Sequence, residues 1–266
     1  MKKIGHTGTL DPEAEGVLPV CLGKATRLVS LLTDSVKEYS AGAVFGFKTD
    51  TEDMTGKVLL EKEIPVSERP DEEEIRKVLS SFEGGYDQVP PMYSAKKVKG
   101  KKLYELAREG IEIERKPSFV KINEVKLTGY SFPRITLDVS CGKGTYIRSL
   151  IRDAGEKLDL PLCMDSLVRT AASGFTLSDA LTLDEVKKAV SEGEIEKHIK
   201  SIESLFSGLP KLRVSGKDSE MLKNGNTLRV SGNLINGDYR LYTEDNEFAA
   251  VYTVTGNTAK LKRMFL

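Results

Sequence analysis

Long apolar runs are missing from this 266-residue chain. No stretch approaches the roughly 18 residues that a membrane-crossing helix needs, and the first residues lack the apolar core of a secretory signal. A soluble, cytoplasmic protein without a membrane partner is the expectation. Cysteine is scarce as well. Cys21, Cys141 and Cys163 are odd in number, far apart and without a CxxC pair, and only two histidines accompany them, so neither a disulfide framework nor a zinc site is indicated. No metal and no cofactor is expected. Neither sign of charge is in excess: 40 basic side chains stand against 40 acidic ones, so a basic surface has to arise from local clustering. Internal repeats and low-complexity tracts are absent too. A GxxxxGK[ST] phosphate loop is not found, which argues against nucleoside triphosphate hydrolysis.

What is there suffices for a sizeable core, arranged as one large domain or as one with a small appendage. Near the start stands Gly5-His6-Thr7-Gly8-Thr9-Leu10-Asp11-Pro12. Its glycines permit close backbone approach, and Pro12 biases Asp11 toward an extended conformation, giving a stiff polar loop with one carboxylate and one imidazole. Residue types alone favour an ordinary surface turn with a capping Asp. Residues 16–32 read as a short buried strand, a turn and a helix from about Ala25, forming a wall behind that loop. Residues 37–47 read as a strand and 48–56 as a polar loop. Pro70 and the acids at 71–74 start a helix whose Ile75, Val78, Leu79 and Phe82 share one face, stopped by Gly84-Gly85. Strands follow at 120–130 and 135–140, the second with strict alternation. A Gly-rich turn, 141–146, then leads into a helix with Ile147, Leu150, Ile151 and Ala154 on one stripe.

The densest basic cluster is Lys96, Lys97, Lys99, Lys101 and Lys102. Its natural partner is phosphate, although a solvated helix start is also compatible with it. A helix over 101–109, closed by Gly110, would carry those cations at the wrong end of its dipole, which favours a functional reason for them. Thr182-Leu183-Asp184-Glu185 matches a capping box, and 194–206 reads as further amphipathic helix. After Pro210 short alternating runs separated by glycines indicate a compact β unit with little helix.

Four separated pieces, GHTGTLDPEAEGVLPVCLGKATR, KEYSAGAVFGFKTDTEDMTG, QVPPMYSAKK and CGKGTYIRSLIRDAG, closely resemble the TruB family of tRNA pseudouridine synthases in order and spacing over nearly all of 4–207. The resemblance implies an α+β pseudouridine synthase fold, with a mixed, largely antiparallel central sheet flanked by helices. It assigns 1–207 to a catalytic domain and 208–266 to a small all-β PUA-like RNA-binding domain. The implied activity is isomerisation of uridine to pseudouridine at position 55 in the T arm of tRNA, by a monomer acting on tRNA. A tRNA-binding and folding protein that works without catalysis is the alternative.

By the same resemblance Asp11 is the catalytic carboxylate and Arg148 its partner. Tyr39 stacks on the base, and Leu167 covers the base's other face. His6 fills the space a flipped base leaves. Arg27, Asp53 and Tyr146 lie near the active site, and Lys96, Lys97 and Lys99 meet the RNA backbone. Without the family, Tyr39 and Leu167 would read as strand and core packing, and His6 as a structural histidine. The family further implies a strand and helix ahead of GHTGTLDP. Their lack would leave a sheet edge uncovered and reduce stability.

Overall fold

The computed structural model describes residues 3–98, 100–232 and 234–266, so Lys99 lies outside the described residues. The chain forms two compact units. The larger comprises His6–Pro19 and Ser30–Ala180; the smaller is built from Val20–Val29 and Leu181–Leu266 with a few residues before His6.

Six strands make the larger unit's central sheet: β1 (Glu15–Gly16), β2 (Lys37–Phe45), β3 (Ile122–Ser131), β4 (Arg134–Cys141), β5 (Leu162–Ala172) and β6 (Phe175–Thr176). Their order is β3-β4-β2-β5-β6, antiparallel throughout, and β1 joins β5 in parallel. The alternation read in the sequence sets which face is buried. Ile135, Leu137, Val139 and Cys141 of β4 are buried, while Arg134, Thr136 and Asp138 between them face solvent.

Helix α1 (Glu72–Ser80) starts two residues after Pro70 and not with it. Asp71 is the N-cap, accepting from the Glu74 amide at 2.8 Å in a capping box. Ile75 and Leu79 bury one face of α1; Phe82, already past its end, is delivered to the same core by the turn before Gly84. Full burial of side chains of this size is worth about 1.5–3 kcal/mol each. Helix α2 (Leu103–Arg108) also starts later than expected, because Lys97–Val98 and Lys101–Lys102 pair as a hairpin around Gly100. Gly110 follows it at φ +72°, as its closing role requires. Helix α3 (Ile147–Lys157) buries Ile147, Leu150, Ile151 and Ala154 in the core that it shares with β5.

The smaller unit holds a five-stranded sheet in the order Lys211–Arg213, Gly237–Tyr242, Phe248–Thr255, Thr258–Met264, Leu228–Arg229. It also holds an eight-residue helix, Gly216–Lys223, where the sequence suggests little helix. The capping box at Thr182 forms ahead of a helix at Leu183–Ser191. Residues 194–206, in contrast, make two short 3-10 turns, Ile195–His198 and Glu203–Phe206. Ser201 accounts for part of this: its hydroxyl takes the Ser204 amide and its carbonyl takes the Ser204 hydroxyl, a local alternative to helix. The compact units do not divide at 207/208. Arg240 donates to the Leu209 and Ser207 carbonyls at 2.9 and 3.0 Å, and Tyr242 donates to Glu203 at 2.6 Å, tying 203–209 to the C-terminal sheet.

Where β1 meets β5 the backbones nearly touch. Gly16 has φ +108°, and a Cβ there would lie 2.2 Å from the Arg169 carbonyl oxygen. Gly16→Ala is therefore expected to cost roughly 1–3 kcal/mol through left-handed strain and overpacking. Urea denaturation of the variant measures it, and an unchanged midpoint would contradict so close an approach.

Candidate active site

The loop that carries Asp11 is fixed at both ends by one buried side chain. Arg169, on β5, is only 2% exposed. Its Nε donates to the Val17 carbonyl at 2.7 Å and its Nη2 to the Gly8 carbonyl at 3.1 Å, while the Val17 amide donates back to the Arg169 carbonyl at 2.8 Å. Within the loop the Ala14 amide caps the Asp11 carbonyl at 3.0 Å, and the Gly8 amide donates to His6 Nδ1 at 3.3 Å. His6 itself is exposed.

Asp11 is presented from this loop with its side chain 40% exposed, and its Oδ2 accepts from Arg148 Nε at 2.8 Å. Arg148 lies at the start of α3 and is 4% exposed. Its Nη1 donates to the Thr51 carbonyl at 2.7 Å and its Nη2 to the Tyr93 carbonyl at 3.0 Å. Asp53 Oδ2 stands 3.7 Å from Arg148 Nη1. The other oxygen of Asp53 is held by the Thr51 hydroxyl at 2.8 Å, the Thr55 hydroxyl at 2.5 Å and the Thr55 amide at 3.1 Å. A buried guanidinium thus meets two carboxylates and two carbonyls, which is what keeps such a charge tolerable away from water. The outcome is a carboxylate backed by protein on one side and open to a substrate on the other.

Tyr39 sits on β2, opposite Val139 on β4 and Arg169 on β5. It is half-buried against the core. Burial pushes its phenol up; Cys141 and Asp11 add to that, and the nearby Arg169 guanidinium pulls the other way. At neutral pH the hydroxyl is therefore protonated and can donate. Leu167, 9% exposed and part of the same core, pairs with Ala41, so it shares a sheet face with Tyr39 one diagonal step away. Tyr146 caps α3 and is held by Gln88, which accepts from its amide at 2.8 Å and donates to its carbonyl at 3.0 Å.

The structure brings Asp11, Asp53 and Arg148 into direct contact, with Tyr39 within reach of the Asp11 charge. Arg27 is not among them. It belongs to the smaller unit, where Nη1 donates to the Met264 and Leu266 carbonyls at 3.2 and 2.8 Å and Arg263 donates back to the Arg27 carbonyl at 2.8 Å. Val20–Val29 is grouped with that unit, while its strand Val20–Leu22 pairs with Ile4–His6 at the start of the Asp11 loop. Lys96 donates to Ser118 at 2.5 Å, and Lys97 is exposed on its hairpin.

Sequence reasoning missed Arg169, Gln88, Glu52 and Arg152. For Arg169 a signal existed, a cation inside the strand-like run Ser166-Leu167-Val168-Arg169-Thr170; Gln88 opens the piece QVPPMYSAKK, but nothing in its residue type points to Tyr146. Glu52 and Arg152 are separated by a hundred positions in sequence and meet only in the fold, as an ion pair. Among the described residues no group of three or more His, Cys, Asp or Glu side chains could hold a metal ion, and no helix is long and apolar enough to cross a membrane.

Residues 1–147 match the model of the family described as TruB family pseudouridylate synthase, N-terminal domain. A tRNA pseudouridine synthase B of Bacillus licheniformis is 44% identical over 260 residues, covering 94% of this chain and 84% of the relative. A protein of the same name from Caldanaerobacter subterraneus subsp. tengcongensis is 41% identical over 267 residues, covering 100% and 90%. Among solved structures, a chain of a Cbf5-Nop10-Gar1 complex superimposes with TM-score 0.70 at 25% identity, covering 100% of this chain and 77% of that one. With the match to more than half of its length, and with relatives above 40% identity along nearly all of it, the chain belongs to the TruB family of pseudouridylate synthases, isomerases that carry this fold.

Proposed function

We propose that this protein isomerises uridine 55 in the T arm of tRNA to pseudouridine, with Asp11 as the reacting carboxylate. The observation that carries this reading is the Asp11–Arg148 pair, a half-exposed carboxylate hydrogen-bonded at 2.8 Å to a buried guanidinium at the start of α3. The names of the relatives, tRNA pseudouridine synthase B, supply the substrate class.

The reaction breaks the bond from N1 of the base to C1′ of the ribose and makes one from C5 to C1′; the C5 hydrogen leaves as a proton and N1 gains one. A carboxylate can serve it by adding to the base, by capturing C1′ or by removing a sugar proton. Each route uses Asp11 as a carboxylate, which Arg148 Nε holds in place at 2.8 Å. Tyr39 offers a ring on which the uracil stacks, worth about 1–3 kcal/mol. Leu167, diagonal to it on the same face, covers the other side of the base. Tyr146, two residues before Arg148 at the start of α3, contributes a further contact to the substrate. A base in a folded loop has to be extruded first, at a few kcal/mol, and exposed His6 takes the vacated place. Asp53 supports Arg148 and not the base. Arg27, bonded to C-terminal carbonyls, is given no part in the chemistry. The smaller unit contributes RNA contacts of the PUA type, and the work is done in the cytoplasm, where the tRNA is.

The test is incubation with a T-arm hairpin followed by mapping of every uridine. Pseudouridine at position 55 alone is expected; modification elsewhere would overturn the assignment of position. Replacing Lys96, Lys97 and Lys99 with alanine should weaken binding and reduce the slope of log affinity against log salt by about 1 for each phosphate that is no longer neutralised. An unchanged slope would remove the lysines from the interface.

A further inference from the structure

We propose that Glu52 is a positioning residue for the reaction: its buried carboxylate sets the turn 51–53 against α3 and thereby fixes where the Arg148 guanidinium points. The inference rests on the roles given to Asp11 and Arg148 above. Glu52 has φ +66°, a left-handed conformation that side-chain-bearing residues rarely hold and that costs on the order of 1 kcal/mol or more unless the surroundings enforce it. The surroundings do so through the side chain, which is 11% exposed. One oxygen accepts from Ser149 Oγ at 2.6 Å and the other pairs with Arg152 Nη1. Arg152 is held in turn by Asp153 at 2.6 Å and by the Val89 carbonyl at 3.2 Å.

The spacing on α3 gives this anchor its meaning. Arg148, Ser149 and Arg152 are one helix turn. Glu52 grips the second and third of them, while its neighbours grip the first, Thr51 through its carbonyl at 2.7 Å and Asp53 through its carboxylate at 3.7 Å. Three consecutive residues of the turn therefore meet three residues of one helix turn. The left-handed kink at the middle position sends Glu52 to one side and leaves Thr51 and Asp53 facing Arg148. Loosening the middle anchor frees the turn to slide along α3, which moves two of the four partners of Arg148 and, through it, Asp11. A shift of about 1 Å at a reacting group can cost a hundredfold in rate.

The experiment compares single-turnover rates, RNA affinity and thermal unfolding of wild type, Glu52→Gln, Arg148→Lys, the double variant and Asp11→Asn. Glu52→Gln keeps the size and an acceptor for Ser149 but loses the charge that holds Arg152. Its rate per folded molecule should fall about tenfold or more, with RNA affinity and cooperative unfolding retained. In the double variant the Glu52→Gln effect should shrink to less than about twofold, because its action passes through Arg148. Glu52→Gly, which relieves the φ but removes the anchor, should be as slow as Glu52→Gln. A loss confined to stability, or full additivity with Arg148→Lys, would overturn the proposal. If Asp11→Asn were as fast as wild type, the catalytic reading itself would fail, an outcome distinct from either.

Discussion

Asp11→Asn is expected to lower pseudouridine formation by more than about a thousandfold, the scale seen when a group that reacts directly with substrate is removed. The variant should still fold and still bind T-arm RNA. Asn keeps the shape and one acceptor for Arg148 Nε, and Arg148 retains the Thr51 and Tyr93 carbonyls and the Asp53 carboxylate. With the Asp11 side chain 40% exposed, its ion pair contributes little to stability, so the loss is chemical. Single-turnover assays beside binding and melting measurements separate these quantities. Undiminished product would remove Asp11 from the reaction.

Arg148→Met is expected to fail twice, in rate and in stability. Removing the guanidinium takes away the donor that orients Asp11 and leaves the Thr51 and Tyr93 carbonyls without theirs in a site that is 4% exposed on the arginine side. Breaking a buried network in this way costs about 3–5 kcal/mol, read as a shift of the urea midpoint, with at least about a hundredfold loss of rate in the fraction that folds. Arg148→Lys should recover little. An ammonium is one point charge, whereas the native contacts use Nε, Nη1 and Nη2 in three directions. A lysine variant with wild-type rate would show that only charge, and not the fork, matters there.

The strands and helices that carry the site were largely legible in the sequence because their signals are local. The alternation of Ile135, Leu137 and Val139 gave β4, and the glycine-rich turn before Ile147 gave the start of α3. Asp71 with Glu74 encodes a cap that the neighbouring Pro70, itself a common helix starter, obscures. What stayed hidden depends on partners distant in the chain or on competing local bonds. Residues 194–206 look amphipathic, yet a serine offers its own hydrogen bonds and the segment turns instead of coiling. Arg27 has the type and the sequence neighbourhood of a substrate contact, and only the fold shows it spent on carbonyls at the other end of the chain. Within the site, resemblance gave Asp11, Tyr39 and Arg148. Of the residues that hold them, Arg169 shows in the sequence only as a cation inside a strand-like run, and Glu52 shows no periodicity; what each of them grips emerges from distances alone.

A tRNA labelled with tritium at C5 of uridine 55 must lose that label when C5 becomes bonded to C1′, because the carbon that carried hydrogen now carries the sugar. Wild-type protein should release one equivalent of tritium per tRNA, Asp11→Asn none, and label placed on other uridines should stay in the RNA. Release that is equal in the two proteins, or that comes from uridines other than 55, would contradict the account.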